Sequence, residues 1–331
     1  MKAEKGIIEA EPGSKTQGVM VVGSDPLGEI SIPVWIAAGR APGERIVITA
    51  GVHGSEYDSI RAAVKLFNDI NPETISGTVI VVPIVNPVAF AQAARYVCPI
   101  DDVNLNRIFP GSSDGSISYR IAQKVFSEIV LTCRYLVDLH GGDIFESLVS
   151  HTKYCVTGTE SVDREARELA MLFSDGLFQP VDGGPGSRGG GLFSEAAKAG
   201  VVSILAEAGG EGKIAKVNTD YHMSGLYNVL SHIGILDREV EVQKTYREVT
   251  GVYRLVADFG GLFVPEVSIG DELCEGQLVG SVESTTGTIL EEIQSPVHGL
   301  MMMLFTNGVV NTGDPLGVIW TTKETAFKGQ E

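Results

Sequence analysis

The chain has 331 residues, of which 44% are hydrophobic and 20% are charged, and its formal net charge is −17. This length and apolar content are typical of one large domain, or of a core domain with a small companion, and they exclude wholesale disorder. So acidic a surface repels phosphate backbones, which excludes nucleic acid as an expected partner. No apolar run approaches the roughly 20 residues of a membrane span, and we see no secretory signal, so we expect a cytoplasmic protein without a membrane partner.

The first three quarters of the chain alternate between short apolar runs and segments that are apolar at helical spacing. Strands are predicted at 45–51, 78–83, 134–140 and 201–206, and helices around 57–67, 119–129 and 163–172. Such alternation predicts an α/β domain with a mostly parallel or mixed sheet flanked by helices. We assign this domain to residues 1–245.

The pattern changes from about residue 250 onward. Short alternating runs are separated there by turn pairs such as Gly270-Asp271 and Gly313-Asp314. This texture predicts a small all-β domain, which we assign to residues 246–331.

Three side chains with metal-binding chemistry follow two of the predicted strands. His53 and Glu56 come directly after the strand 45–51, three residues apart, so that in a helical turn both point the same way. His140 ends the strand 134–140, and strand ends of this kind meet at one edge of an open α/β sheet. A His-x-x-Glu pair alone is a weak signal, but two histidines and a glutamate form a zinc site with an open position for water.

Three further segments carry groups suited to binding and catalysis. Asn106 and Arg107 lie in a loop, where a guanidinium fork and an amide are well suited to hold a substrate carboxylate. Glu207 closes an apolar strand, and a half-desolvated carboxylate there suits general-base work. Arg188 belongs to the glycine-rich stretch 183–191, a loop from which it is expected to contact substrate.

Taken together and in this order, these segments resemble the succinylglutamate desuccinylase/aspartoacylase family, a branch of the zinc-carboxypeptidase-like hydrolases. The resemblance covers roughly residues 30–325 and is greatest to the bacterial branch that includes N-acetyl-diaminobutyrate deacetylases. It implies one zinc ion per chain, deacylation of a small N-acyl amino acid at its amide bond, and roles for seven residues. The implied zinc ligands are His53, Glu56 and His140, the carboxylate-binding residues are Asn106 and Arg107, and the general acid/base is Glu207. Arg95 matches an arginine that polarises the scissile carbonyl.

The C-terminal segment resembles a barrel-sandwich fold of the biotinyl/lipoyl kind. Its turn 295–299 (SPVHG) leads into Leu300 and three methionines, with no lysine for cofactor attachment. A carrier function is therefore disfavoured, and we interpret the segment as a structural cap on the catalytic domain, or on a neighbouring subunit if the protein is a homo-oligomer. The sequence is also compatible with a metallocarboxypeptidase acting on short peptides, and with a non-catalytic protein that binds a small molecule.

Overall fold

The computed structural model describes residues 9–184, 187 and 189–327. The first two thirds of this chain contain eleven strands, and their bounds are as follows: β1 (Ser14–Asp25), β2 (Gly28–Ala38), β3 (Ala41–Thr49), β4 (Ser76–Val82), β5 (Val97–Cys98), β6 (Val103–Asn104), β7 (Tyr135–His140), β8 (Glu146–Leu148), β9 (His151–Val156), β10 (Leu177–Asp182) and β11 (Val202–Glu207).

Helices separate many of these strands. The α-helices are α1 (Tyr57–Asp69), α2 (Pro87–Ala91), α3 (Ile117–Lys124), α4 (Glu160–Phe173), α5 (Leu192–Lys198) and α6 (Lys216–His232). The segment predicted as one helix over 119–129 is split, because α3 gives way to a π-helical turn at Val125–Ile129. Among the helices of the described residues, none is both long enough and apolar enough to span a lipid bilayer.

The described chain after α6 forms strands and no helix. These strands are β12 (Tyr246–Val256), β13 (Gly261–Pro265), β14 (Glu272–Leu273), β15 (Leu278–Glu283), β16 (Ile289–Gln294), β17 (Gly299–Phe305), β18 (Val309–Val310) and β19 (Pro315–Thr325). Four of them form a separate sheet in the order β16-β15-β13-β18.

One large mixed sheet organises the molecule. Its strand order is β1-β2-β4-β3-β7-β11-β9-β10-β12-β19-β17-β14, with β8 paired to β17 beside this path. Strands β4, β3, β7 and β11 run parallel, whereas β9 pairs with β11 in the antiparallel direction. The prediction of a mixed sheet is confirmed, and the sheet continues into the C-terminal region because β10 pairs with β12.

Helices cover both faces of the central strands, as the sequence predicts. On one face, α1, α4 and α6 bury a core around Ile48, Val137 and Ile204. On the other face, α3 and α5 pack over Val47 and Leu136. Alternation along β7 and β11 then fixes which side chains share this second face, since neighbouring residues in a strand point to opposite sides. Asp138, His140 and Glu207 lie on it, at the carboxyl ends of their strands.

Candidate active site

His53, Glu56 and His140 meet in a buried cluster. Nδ1 of His53 lies 2.5 Å from Glu56 Oε1, and Nδ1 of His140 lies 2.9 Å from Glu56 Oε2. All three side chains are less than a tenth exposed. Among the described residues, this is the group of His, Cys, Asp and Glu whose ligand atoms converge closely enough to hold a metal, lying within 4.8 Å of one another.

The outer nitrogen of each imidazole faces an oxygen acceptor. His53 Nε2 lies 3.3 Å from Asn104 Oδ1, and His140 Nε2 lies 3.2 Å from Asp138 Oδ2. Asp138 is fully buried and is itself held by Thr49, whose hydroxyl donates to its other oxygen at 2.7 Å. If each Nε2 carries the proton, each Nδ1 presents its lone pair to the centre of the cluster.

The electrostatics of the cluster fit a divalent cation. Burial alone would lower the pKa of both imidazoles, but the Glu56 carboxylate outweighs it and raises the pKa of His53 and of His140. Conversely, the two imidazoles lower the pKa of Glu56 despite its burial. Glu56 Oε2 is also buried, and its 2.9 Å approach to His140 Nδ1 does not have hydrogen-bond geometry. An unsatisfied carboxylate oxygen beside two imidazole nitrogens is a zinc donor set, in which the metal would take the place of the protons.

Close packing explains why the turn that carries His53 and Glu56 contains a glycine. A Cβ on Gly54 would lie 2.2 Å from the backbone of Ala89 in α2. Only glycine allows the turn to approach that helix so closely. The turn is thereby fixed between β3 and the start of α1, with His53 and Glu56 directed toward β7.

Glu207 lies at the end of β11, in register with His140 on one side and with His151 of β9 on the other. Its Oε1 accepts a hydrogen bond from Lys153 Nζ at 3.2 Å. Glu207, His53, Glu56 and His140 all line one cavity of about 560 Å³. The structure therefore brings the predicted base and the predicted ligands to one chamber.

Asn106 and Arg107 also line this cavity. The amide oxygen of Asn106 accepts from Leu192 N at 2.9 Å, and its Nδ2 lies 3.5 Å from His140 Nε2. Arg107 is exposed, and its Nη1 donates to the carbonyl of Asn106 at 2.7 Å. Gly190 packs against this loop so tightly that a Cβ there would lie 2.0 Å from the Arg107 carbonyl oxygen. The end of the glycine-rich stretch thus holds the Asn106-Arg107 loop in place.

Arg95 is not among the residues that line the cavity. Its Nη2 donates to the Tyr96 hydroxyl at 3.1 Å, and its guanidinium lies over the rings of Tyr96 and Phe145. Its role at the scissile carbonyl stays a prediction. Arg188, the other residue assigned to substrate contact, lies outside the described residues.

Tyr96 is a cavity residue that the sequence analysis did not single out. It has a left-handed backbone (φ 56°), its ring lies edge-on to His53 at 5.7 Å, and its hydroxyl donates to Glu146. Burial, together with the nearby Glu207 and Glu56, raises the pKa of Glu146. A strained backbone at a non-glycine residue is common in functional sites, but no sequence pattern signals it.

His151 and Lys153 of β9 are two further cavity residues that were missed. His151 is fully buried, and burial and the Lys153 charge hold its pKa well below the usual range. Its Nδ1 lies 2.9 Å from the carbonyl of Val149, which can only accept, so the proton is on Nδ1. Its Nε2 is buried and has no hydrogen-bond partner among the described residues, so burial favours the neutral imidazole, whose ring lies edge-on to Trp320 of β19.

The opposite side of the cavity comes from the C-terminal strands and is largely apolar. Besides Arg254, its members are hydrophobic residues or glycine: Val252, Val256, Met302, Met303, Phe305, Pro315, Gly317, Val318 and Trp320. Charged side chains concentrate on the other side, where Arg107 and Lys153 accompany Glu56, Glu146 and Glu207. The cavity lining has three acidic and three basic side chains in all. A bound divalent cation would therefore make the net charge of the cavity positive and favour an anionic ligand.

Several known proteins are similar to this chain over most of its length. The N-alpha-acetyl-L-2,4-diaminobutyric acid deacetylase of Halomonas elongata is 30% identical over 306 residues, which are 88% of this chain and 86% of that protein. A succinylglutamate desuccinylase structure from Silicibacter sp. TM1040 is 25% identical with a TM-score of 0.85, covering 98% of this chain and all of the other. The product-bound ectoine utilization protein EutE (DoeB) from Ruegeria pomeroyi shares the fold, with 24% identity, a TM-score of 0.86, and coverage of 95% of this chain and 98% of that one.

A family model gives the same assignment. Residues 42–233, more than half of the chain, match the succinylglutamate desuccinylase/aspartoacylase catalytic domain. This range contains the His53, Glu56 and His140 cluster, the Asn106-Arg107 loop and Glu207. The resemblance inferred from the sequence is therefore confirmed, and this chain belongs to the succinylglutamate desuccinylase/aspartoacylase family.

Proposed function

We propose that this protein is a zinc-dependent amidohydrolase that removes the acyl group of a small N-acyl amino acid. The observation that carries this proposal is the convergence of two imidazoles and a carboxylate beside Glu207 in one cavity. The residues that would hold the zinc ion are His53, Glu56 and His140. When bound, zinc supplies Lewis acidity, which activates water and polarises a carbonyl at neutral pH.

The protein's own residues supply proton transfer and orientation. Glu207 takes a proton from the attacking water and later delivers it to the leaving amine, so that the C–N bond breaks to give a carboxylic acid and an amine. Arg107 binds the substrate carboxylate, and Asn106 contributes a neutral donor from its amide group. These contacts orient the amide bond rather than react with it. Arg95 polarises the carbonyl in this scheme, which requires its side chain to leave Tyr96.

The C-terminal strands have a second part in the proposal. We propose that residues 246–331 form a barrel-sandwich-like domain that closes the cavity beside the catalytic domain 1–245. Its apolar wall would contact the carbon skeleton of the substrate, and a cavity of about 560 Å³ accommodates a small molecule rather than a folded chain.

The test combines metal analysis with substrate assays on the purified protein. The proposal expects about one zinc per chain and chelator-sensitive hydrolysis within a panel of N-acetyl and N-succinyl amino acids. Hydrolysis of dipeptides alone would point instead to a metallocarboxypeptidase. Absence of zinc, and of hydrolysis after zinc is restored, would favour a protein that binds a small molecule without cleaving it.

A further inference from the structure

A lysine directed into the cavity lies beside the proposed general base and has no part in the mechanism described above. Lys153 projects from β9, and its ammonium donates to Glu207 Oε1 at 3.2 Å. In the register of the antiparallel pair, Lys153 opposes Leu205 and His151 opposes Glu207. Lys153 is thus diagonal to Glu207 on the same face of the sheet, a separation that a long side chain spans easily.

The contact is specific to one oxygen of the carboxylate. Among the described residues, Glu207 Oε1 has Lys153 as its donor, and no donor contacts Oε2. A carboxylate tethered through one oxygen has a restricted rotamer and presents the other oxygen in a fixed direction. The imidazole of His151, in register with Glu207, is neutral and does not compete as a charged partner.

The ion pair between Lys153 and Glu207 is not explained by a contribution to folding stability. The side chains of Lys153 and Glu207 are 24% and 15% exposed, so both charges have lost most of their water. Ion pairs with this degree of burial commonly contribute no more stability than apolar residues of similar size. Leu205 and Val181 also face the cavity nearby, and an apolar side chain at position 153 would extend that surface.

We propose that Lys153 is a positioning residue that holds Glu207 Oε1 and thereby directs Oε2 toward the water and the leaving amine. This inference rests on the proposed function. Because Lys153 acts through Glu207 and not on the substrate, it affects turnover rather than substrate binding. It is distinct from Arg107, whose expected contact is the substrate carboxylate.

The experiment compares Lys153→Met, Lys153→Arg and the wild-type protein on the best substrate of the panel. Lys153→Met should lower kcat about tenfold to a hundredfold, which is part of the rate enhancement that a general base contributes. KM and zinc content should stay within about threefold of the wild-type values. Lys153→Arg, which keeps the charge and a donor, should recover most of the loss. Lys124→Met is the matched control, since it removes a surface lysine paired with Glu128 at 3.4 Å and should leave kcat unchanged.

A double variant tests whether the two residues act as a unit. In the Glu207→Gln background, adding Lys153→Met should change the residual kcat less than about twofold, because residues that act through one another are non-additive. An unchanged kcat in Lys153→Met, a raised KM at constant kcat, or loss of zinc would each overturn the inference. A wild-type protein that hydrolyses nothing in the panel refutes the proposed function and this inference together. An active wild type with an equally active Lys153→Met variant refutes only the inference.

Discussion

His140 presents its Nε2 to the buried carboxylate of Asp138 at 3.2 Å, while its Nδ1 faces Glu56. A carboxylate behind a metal-binding imidazole fixes the ring and increases its basicity. We therefore expect Asp138→Asn to weaken zinc affinity about tenfold to a hundredfold, as measured by competition with a chromogenic chelator. Asp25→Asn, at the end of β1, is the remote control. Equal zinc affinity in the two variants would contradict this role of Asp138.

Replacement of the proposed base should separate metal binding from turnover. Glu207→Gln keeps the shape of the side chain and leaves His53, Glu56 and His140 untouched, so zinc content should stay at about one per chain. We expect kcat to fall by about 10²–10⁴, the range associated with general acid–base catalysis. Glu165→Gln, on the surface beside Arg134, is the control. Normal turnover in Glu207→Gln would exclude Glu207 as the base.

The proposed role of Arg107 can be tested by comparing substrates that carry a carboxylate with substrates that lack it. Arg107→Lys keeps the positive charge but loses the planar fork, so we expect KM for an N-acyl amino acid to rise about tenfold with little change in kcat. The corresponding α-carboxamide substrate, which lacks the anion, should show a much smaller difference between variant and wild type. A similar rise in KM for both substrates would argue against binding of the carboxylate by Arg107.

Gly190 gives a test of how the glycine-rich stretch supports this arginine. Gly190 has φ 88°, and a Cβ there would lie 2.0 Å from the Arg107 carbonyl oxygen. Gly200→Ala is a close control, because Gly200 has φ 91° but no heavy atom within 4 Å of an added Cβ. An alanine in the left-handed backbone conformation is disfavoured by about 1–2 kcal/mol, so we expect Gly200→Ala to lower the free energy of unfolding in urea by that amount. Gly190→Ala should lose more stability and also raise KM; equal behaviour of both variants would contradict this packing role.

Asp101 supplies a pH-dependent contribution to stability away from the cavity. Burial alone would raise the pKa of its carboxyl, but hydrogen bonds from Ser116 and Ser118 at the start of α3 outweigh burial and lower it. A lowered pKa in the folded state means that this stabilisation is present above the unfolded pKa of about 3.9 and is lost as the pH falls through the folded value.

Asp101→Asn should therefore reduce the free energy of unfolding by about 1 kcal/mol at pH 7, the usual effect of removing a helix-capping carboxylate. The difference from wild type should shrink below about pH 4. Urea unfolding at a series of pH values measures it. A difference that stays constant down to pH 3 would show that the charge of Asp101 is not what matters.

The predicted metal ligands and the predicted base share one property: each ends or closely follows a strand that belongs to the buried centre of the sheet. Such strands read as continuous apolar runs, so the positions of His53, His140 and Glu207 at one sheet edge follow from local sequence and general topology. Strand β9 is different. Its sequence, from His151 to Val156, has three polar residues (HTK) followed by three apolar ones (YCV). It is therefore neither a continuous apolar run nor an alternating pattern, and nothing local indicates that it inserts antiparallel beside β11. Lys153 and His151 were missed for this reason.

The C-terminal wall was missed on similar grounds. The turn-rich pattern after residue 250 predicts strands, and strands are found, but pairing of β12 with β10 depends on contacts between segments far apart in the sequence. Likewise, the contact between Tyr96 and Glu146 joins two distant parts of the chain. Periodicity reports which face of an element is buried, and it does not report which distant element covers that face.

The pairing of β10 with β12 also bears on how the protein can be shortened. A chain that ended at residue 245 would lose β12 and leave the outer hydrogen-bonding groups of β10 without a partner. It would also uncover apolar side chains now packed beneath the C-terminal strands, such as Leu177. An exposed strand edge of this kind is a template for intermolecular pairing. A shortened chain should therefore retain the C-terminal strands in order to fold. We expect truncation at residue 245 to yield aggregates rather than a compact protein.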